Sequence, residues 1–151
     1  MTVGGTQMQA LARVTDLRLL GAERDVAAAQ KACLQADALV AQAQRAVADF
    51  DAGYPQKRAE LSASFGTRMY LSEDLDHLRA AVAALQDERA PLADSQAQAE
   101  MAREAAECLL RDCLARRAEL TACKYKREEL AQTLIQRESK SAEIRAEQVC
   151  E

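Results

Sequence analysis

Heptad repetition is the feature that most constrains this chain. With Val26 as an a position, small and apolar residues fill positions a and d without a break. This first run consists of Ala22, Val26, Ala29, Cys33, Ala36, Val40, Ala43, Val47, Phe50 and Tyr54. A second run has d positions Leu71, Leu78, Leu85, Leu92, Ala99, Ala106, Cys113, Leu120 and Leu134, with Arg127 interrupting it before Leu134. Such repeats are typical of coiled coils. We predict an all-α fold, a long two-helix antiparallel coiled-coil hairpin with a longer second helix.

The composition suits a hairpin better than a globular core. Alanine accounts for 33 of 151 residues and tryptophan is absent, so little bulk is available to fill a three-dimensional core. A net charge of -4 argues against nucleic acid as a partner. No apolar stretch of the sequence is long enough to span a membrane, and we expect no signal peptide because no basic-then-apolar pattern opens the sequence. We therefore expect a soluble, cytoplasmic protein with no direct membrane insertion.

The predicted domain is a single helical hairpin over residues 1–151. Helix one covers about residues 7–52, and we favour its continuation over 56–64 because proline at position 55 suits a first helical turn. The turn covers about residues 53–68. Helix two covers about residues 69–148, is kinked near Pro91, and is marked by Ser72, Glu73 and Asp74 as a capped start. A turn near residues 60–66 would place Met8 opposite residue 120 and leave the last 25 or so residues unpaired.

Catalytic and cofactor-binding patterns are not found in the sequence. The single histidine, His77, falls on an exposed heptad position, and none of the five glycines belongs to a phosphate-binding loop. The five cysteines match neither a disulfide framework nor a zinc site, and Cys33 and Cys113 fall on the heptad seam. We predict a protein that is not an enzyme and has no cofactor or metal.

Apolar residues off the seam are candidates for partner binding. Leu11, Val14, Leu17 and Leu20 form a second stripe, which either contacts a partner or widens the hairpin seam. The end of helix two also carries an apolar stripe that should either fray or dock on a partner. Near the turn, Phe65, Met69, Tyr70, Leu71 and Leu75 either bind a partner or pack on one another.

The a positions of helix two change character midway. Leu75 and Val82 are followed by Arg89, Gln96, Arg103, Arg117 and Lys124, with Leu110 the one apolar residue among them. Charged a residues cost stability but can restrict register and oligomeric state. Either their aliphatic stems pack against helix one while the charges reach water, or the arms splay apart to meet a partner.

The chain resembles the FliJ/YscO family of type III secretion central stalk proteins in three features. These are its length, its heptads and the aromatic-aliphatic start of helix two at Met69, Tyr70, Leu71 and Leu75. This resemblance covers nearly the whole chain. It implies a non-enzymatic cytoplasmic component, peripheral to the secretion apparatus at the inner membrane, with a role in virulence. The implied partners are the hexameric export ATPase, the export gate protein and export chaperones. Pro91 inside the second helix departs from a straight stalk.

The resemblance also implies two binding regions. The ATPase-binding region would comprise Leu11, Val14, Leu17, Leu20, Arg127, Leu134, Arg137 and Ile144. The export-gate-binding region would comprise Met69, Tyr70, Leu71, Leu75 and Leu78. Two alternative functions are a secretion or assembly chaperone and a self-associating structural coiled coil.

Overall fold

The computed structural model describes the backbone of residues 3–66 and 72–149, and the side chains of residues 7, 8, 10–66 and 72–146. It contains three α-helices: α1 spans Val3–Phe65, α2 spans Ser72–Asp87 and α3 spans Arg89–Val149. All secondary structure in the described residues is helical. The predicted all-α fold class, with one long helix pairing antiparallel with a second arm, is confirmed.

The first helix continues through the segment around Pro55 and ends at Phe65. Pro55 removes one backbone donor but does not end the helix. The Gly66 amide then donates to the Ala63 carbonyl at 3.3 Å in a terminal turn. The second arm begins with α2 at Ser72, and Glu73 and Asp74 lie in its first turn, where the helix dipole favours acidic side chains.

The second arm is interrupted at Glu88, which separates α2 from α3. Pro91 is the third residue of α3, so its missing amide hydrogen is one that the first turn of a helix leaves unpaired. In a continuous helix, Pro91 could not donate to the Asp87 carbonyl and its ring would crowd that group. The interruption therefore lies just where proline removes the helical bond, while the Glu88 amide still donates to Ala84 at 3.2 Å.

The chain divides into two compact units. The terminal unit comprises Met1–Gln30 and Leu109–Glu151, and the turn unit comprises Lys31–Cys108. Each unit pairs part of α1 with part of the second arm. That the chain is a single domain stays a prediction.

The buried residues of both units lie on the predicted seam. In the terminal unit, Ala22, Val26 and Ala29 are buried, and in the turn unit Ala36, Val40 and Leu85 are buried. All six occupy a or d positions of the heptads, so the seam prediction is confirmed for them. Leu134, the last predicted seam residue, is 45% exposed and is an exception. Small side chains at the seam allow close approach of the helix axes.

Gly53 offers a test of the continuous first helix. An added Cβ at Gly53 would meet nothing within 4 Å, and no described glycine has a positive φ. Gly53→Ala should therefore stabilise the protein by about 1 kcal/mol, because alanine loses less backbone entropy in a helix than glycine does. Thermal denaturation should show a rise in Tm of about 2–4 °C.

Gly66→Ala is the matched control for this substitution. Gly66 lies just beyond the end of α1, and a Cβ there would come within 3.2 Å of the Ser62 carbonyl oxygen. We expect no stabilisation from this variant. An equal gain at both positions would contradict the assignment of Gly53 to the interior of a helix.

Candidate partner-binding surfaces

The apolar stripe on α1 of the terminal unit is exposed. The exposed fractions are 47% for Leu11, 43% for Val14, 69% for Leu17 and 51% for Leu20. These side chains do not widen the buried seam. Steps of three residues drift by about 60° around a helix, so the stripe coils over about half of the helix circumference. A partner that contacts all four residues must therefore cover about half of the circumference of this part of α1.

The end of α3 in the terminal unit carries a second exposed apolar group. The exposed fractions are 58% for Leu130, 45% for Leu134, 67% for Ile135 and 55% for Ile144. Over residues 132–146 every side chain is exposed except that of Ser141, and Arg137 is among the exposed ones. This part of α3 therefore offers apolar and cationic side chains to a partner.

The N-terminal part of α1 pairs with a later part of α3 than the sequence predicts. Met8 lines a shallow groove together with Arg127, Glu128 and Ala131 of α3. The prediction that Met8 faces the region around residue 120 is wrong. The reason is that α1 remains helical to Phe65, which moves the turn toward the C-terminus and shortens the unpaired end of α3.

Arg127 is held by contacts within the terminal unit. Its Nη1 donates hydrogen bonds to the Thr15 hydroxyl oxygen and, at 3.4 Å, to the Leu11 carbonyl. The Thr15 hydroxyl in turn donates to the same Leu11 carbonyl at 2.8 Å. Thr15 is only 2% exposed, so these bonds satisfy a buried polar group. Arg127 thus contributes to the pairing of α1 with α3, and its predicted contact with the ATPase stays a prediction.

Lys124 forms a second cross-helix contact in the terminal unit. Its Nζ lies 2.9 Å from Asp16 Oδ1 on α1 and 3.9 Å from Glu128 Oε1 on α3. The hydrogen bond to Asp16 and the charge of that carboxylate raise the pKa of Lys124 above its ordinary value. An a-position lysine therefore remains charged beside the seam with its stem half-buried.

The predicted gate-binding region is described only in part. Leu75 is 42% exposed and Leu78 is half-buried on α2 of the turn unit. Met69, Tyr70 and Leu71 lie outside the described residues. Phe65, at the end of α1, is half-buried. Leu75 is therefore the one residue of this predicted region that the structure presents as a large exposed apolar side chain.

Arg89, at the start of α3, makes a bidentate contact with Asp51 of α1 in the turn unit. Nε donates to Oδ1 at 2.7 Å and Nη2 donates to Oδ2 at 2.9 Å. Two parallel bonds of this kind fix the geometry as well as the distance between the groups. Together with the Lys124 contact to Asp16, the Arg89 contact favours packing of the charged a residues against α1 over splaying of the arms.

The Asp51 contact predicts a pH-dependent contribution to stability. The hydrogen bonds from Arg89 lower the pKa of Asp51 below its ordinary value of about 3.9. Because the folded-state pKa is lowered, the contribution is complete above the unfolded-state value and is lost as the pH falls through the folded-state value. Asp51→Asn should lower Tm by a few degrees at pH 7, and the difference from the unchanged protein should shrink below about pH 4.

Asp49→Asn is the control for this prediction. Asp49 is an exposed neighbour on α1, and no ion pair is found for it among the described residues. Thermal melts of both variants from pH 7 to pH 3 measure the effect. A loss of stability at Asp51 that did not vary with pH would contradict the assigned ion pair.

Chemistry-bearing side chains form no recognisable site in the described part of the chain. Over the described residues, no group of three or more His, Cys, Asp or Glu side chains could hold a metal ion. His77 is exposed, and Cys33 and Cys113 are half-buried at the seam. No helix in the described ranges is both long and apolar enough to cross a membrane.

Helix pairing through heptads defines this chain as a coiled-coil hairpin, and it carries exposed apolar side chains. The sequence profile described as Type III secretion protein YscO matches residues 8–151. The chain therefore belongs to the YscO family of type III secretion proteins, a family described by its place in secretion rather than by an enzymatic activity.

The fold is also similar to that of a solved relative, the type III secretion protein YscO from Vibrio parahaemolyticus. The two superpose with a TM-score of 0.85 at 21% sequence identity, covering 95% of this chain and 91% of that one. At this level of identity the similarity establishes a shared fold. Curated protein sequences contain no match to this chain.

Proposed function

We propose that this chain is a stalk component of a type III secretion export apparatus, which binds the hexameric export ATPase and links it to the export gate. It acts in the cytoplasm, peripheral to the apparatus at the inner membrane. The observation that carries this proposal is the concentration of exposed apolar side chains in the terminal unit, on both α1 and α3. Membership of the YscO family supports a partner within the secretion apparatus.

The ATPase contact is assigned to the terminal unit. Exposed leucines and isoleucines there are more numerous than the few scattered singly on an ordinary surface. The stripe Leu11, Val14, Leu17 and Leu20 covers about half of the circumference of α1, which suits a concave partner surface such as the inner surface of a ring. Leu134, Arg137 and Ile144 on α3 add further contacts.

The gate contact is assigned to the start of the second arm in the turn unit. Leu75 is exposed there and Leu78 is half-buried, and the predicted contacts Met69, Tyr70 and Leu71 precede them in sequence. Export chaperones are a further proposed partner, for which Leu34 and Leu39 on α1 provide exposed apolar side chains of 71% and 55%.

Binding to the purified export ATPase tests the proposal. The chain should co-elute with the ATPase in size-exclusion chromatography and shift it toward hexamers. Leu17→Asp combined with Leu20→Asp should abolish the complex, because both side chains are exposed and would meet the partner rather than the seam. Leu34→Asp combined with Leu39→Asp is the matched control, with the same substitutions on the same helix but outside the proposed contact.

Different outcomes would support the alternative functions. No ATPase complex at low salt, together with a stoichiometric complex with a secreted subunit, would indicate a chaperone. A stable dimer at micromolar concentration by light scattering would indicate a self-associating coiled coil. Equal loss of ATPase binding in both leucine pairs would contradict the assignment of the contact to the terminal unit.

A further inference from the structure

The pairing of α1 with the second arm poses a problem of register. Its buried residues repeat every seven positions and are mostly alanine and valine, so sliding one helix past the other by seven residues would match similar side chains again. Apolar packing of small residues therefore distinguishes poorly between registers that differ by one heptad. Another feature must select the observed register.

Charged residues follow the same seven-residue spacing on both helices. Counting forward in steps of seven from Asp16 gives Glu23, Gln30, Asp37, Gln44 and Asp51 on α1. Counting backward in steps of seven from Lys124 gives Arg117, Leu110, Arg103, Gln96 and Arg89 on α3. Antiparallel helices bring these two series together member by member. Every acid of the first series is thereby matched with a cation of the second, and Gln44 is matched with Gln96.

The first and last pairs of the series are formed in the structure. In the terminal unit, Lys124 Nζ lies 2.9 Å from Asp16 Oδ1. In the turn unit, Arg89 contacts Asp51 through two hydrogen bonds of 2.7 and 2.9 Å. In both units, therefore, the two helices pair in the register that places the acids of α1 opposite the cations of α3.

The two remaining charged pairs, Glu23 with Arg117 and Asp37 with Arg103, are not in contact in the structure, where Arg103 instead lies beside Glu107 of its own helix. Glu23 and Arg117 are both exposed in the terminal unit. In the turn unit, Arg103 is half-buried at the seam, and its Nε is buried without a hydrogen bond among the described residues, with Glu107 Oε1 at 3.4 Å. Arg103 therefore has an ion-pair partner on its own helix but, within the described part of the chain, no hydrogen bond at Nε, and a carboxylate at Asp37 on α1 would supply the missing acceptor.

We propose that these four acid–cation pairs form a charge ladder that selects the register of the hairpin arms. Sliding the series by one heptad in one direction leaves Asp16 with Arg117 as the one opposite-charge pair. Sliding it in the other direction leaves Glu23 with Lys124 and brings Arg58 against Arg89. The other acids would then face leucine, valine, alanine or glutamine. The ladder thus favours one register and penalises its neighbours, although each exposed pair alone contributes little.

The contact of Thr15 with Arg127 in the terminal unit also favours the observed register. Each residue interrupts an otherwise apolar d series, and the two interruptions meet in the observed register. A slip of seven residues would place each polar side chain against an apolar position. Buried polar pairs in coiled coils are known to specify register at some cost in stability.

Replacing the ladder cations by leucine tests whether these cations select the register, independently of their effect on the stability of the hairpin. The test variant carries Arg89→Leu, Arg103→Leu, Arg117→Leu and Lys124→Leu. Spin labels at Ala38→Cys and Ala90→Cys, two exposed sites within the turn unit, report the register by pulsed electron resonance after the five native cysteines are replaced by alanine. A slip of seven residues changes their separation along the helix axis by about 10 Å.

The ladder variant should melt more than about 5 °C higher, because leucine replaces charge at the seam, yet show additional label distances. The unchanged protein should show a single distance. The control variant carries Arg18→Leu, Arg45→Leu, Lys126→Leu and Arg137→Leu, four exposed cations outside the ladder, and should keep the single distance. One unchanged distance in the ladder variant would overturn the proposal, since the apolar seam alone would then set the register.

A charge swap provides a second test that does not depend on the leucine variant folding. Asp37→Arg places two cations opposite each other and should lower Tm by about 2–4 °C. Adding Arg103→Asp exchanges the charges and should recover at least half of that loss. A double variant no more stable than Asp37→Arg alone would overturn the ladder, because the two residues would not interact.

Discussion

Leu85→Ala is expected to lower the free energy of unfolding by about 2–3 kcal/mol, the largest loss from a single truncation in the turn unit. Leu85 is 7% exposed and is the one buried leucine among the described residues. Leu85 lines a groove with Leu61 of α1 and Ala81 of α2, and packed neighbours relax only partly into the space left by three lost carbon atoms. Chemical denaturation followed by circular dichroism at 222 nm measures the loss.

Leu75→Ala is the matched control on the same helix. Leu75 is 42% exposed, so the same truncation should cost less than about 1 kcal/mol. Both substitutions change leucine to alanine within a helix, so the difference between the two losses of stability measures the effect of burial alone. Losses of equal size at both positions would contradict the assignment of Leu85 to the seam and of Leu75 to the surface.

Leu134→Asp combined with Ile144→Asp is expected to weaken binding to the export ATPase by about 100-fold. Both side chains are exposed near the end of α3, with exposed fractions of 45% and 55%. Burying two such side chains against a partner contributes at least about 3 kcal/mol, which corresponds to this change in Kd. Isothermal titration of the chain into the ATPase measures it, while Tm should remain within a few degrees of that of the unchanged protein.

Gln132→Asp combined with Ala142→Asp controls for added negative charge. These positions are also exposed on α3, and they carry no large apolar side chain. The control variant should bind within a few-fold of the unchanged chain. Equal weakening by both variants would indicate that charge on α3, rather than contact by Leu134 and Ile144, governs binding.

The heptads predict the helices and most of the seam because side chains at a and d face the partner helix wherever the period is maintained. Val26, Val40 and Leu85 are buried as this pattern requires. Register is harder to read from sequence, because a seven-residue period looks the same after a shift of seven. The predicted position of Met8 near residue 120 is wrong because it assumed a turn near residues 60–66, whereas α1 remains helical to Phe65.

The polar contacts at the seam were not predicted, because the heptad pattern of each helix was read separately. Thr15 and Arg127 each appear as a defect in one heptad series, and only their meeting in the folded chain shows that each satisfies the other. Lys124 is likewise a charged a position, and its partner on α1 is Asp16, which lies beside the seam rather than in it. Comparing interruptions between the two series, rather than within each, could have located these contacts before the structure was known.

The central claim is most directly tested by the rate of ATP hydrolysis of the export ATPase with and without this chain. A stalk that promotes hexamer assembly should raise the rate, and the increase should be lost with Leu17→Asp and Leu20→Asp but kept with Leu34→Asp and Leu39→Asp. Unchanged hydrolysis and no complex at low salt would contradict the stalk function. An increase that survives loss of the Leu17 and Leu20 side chains would contradict the proposed contact surface.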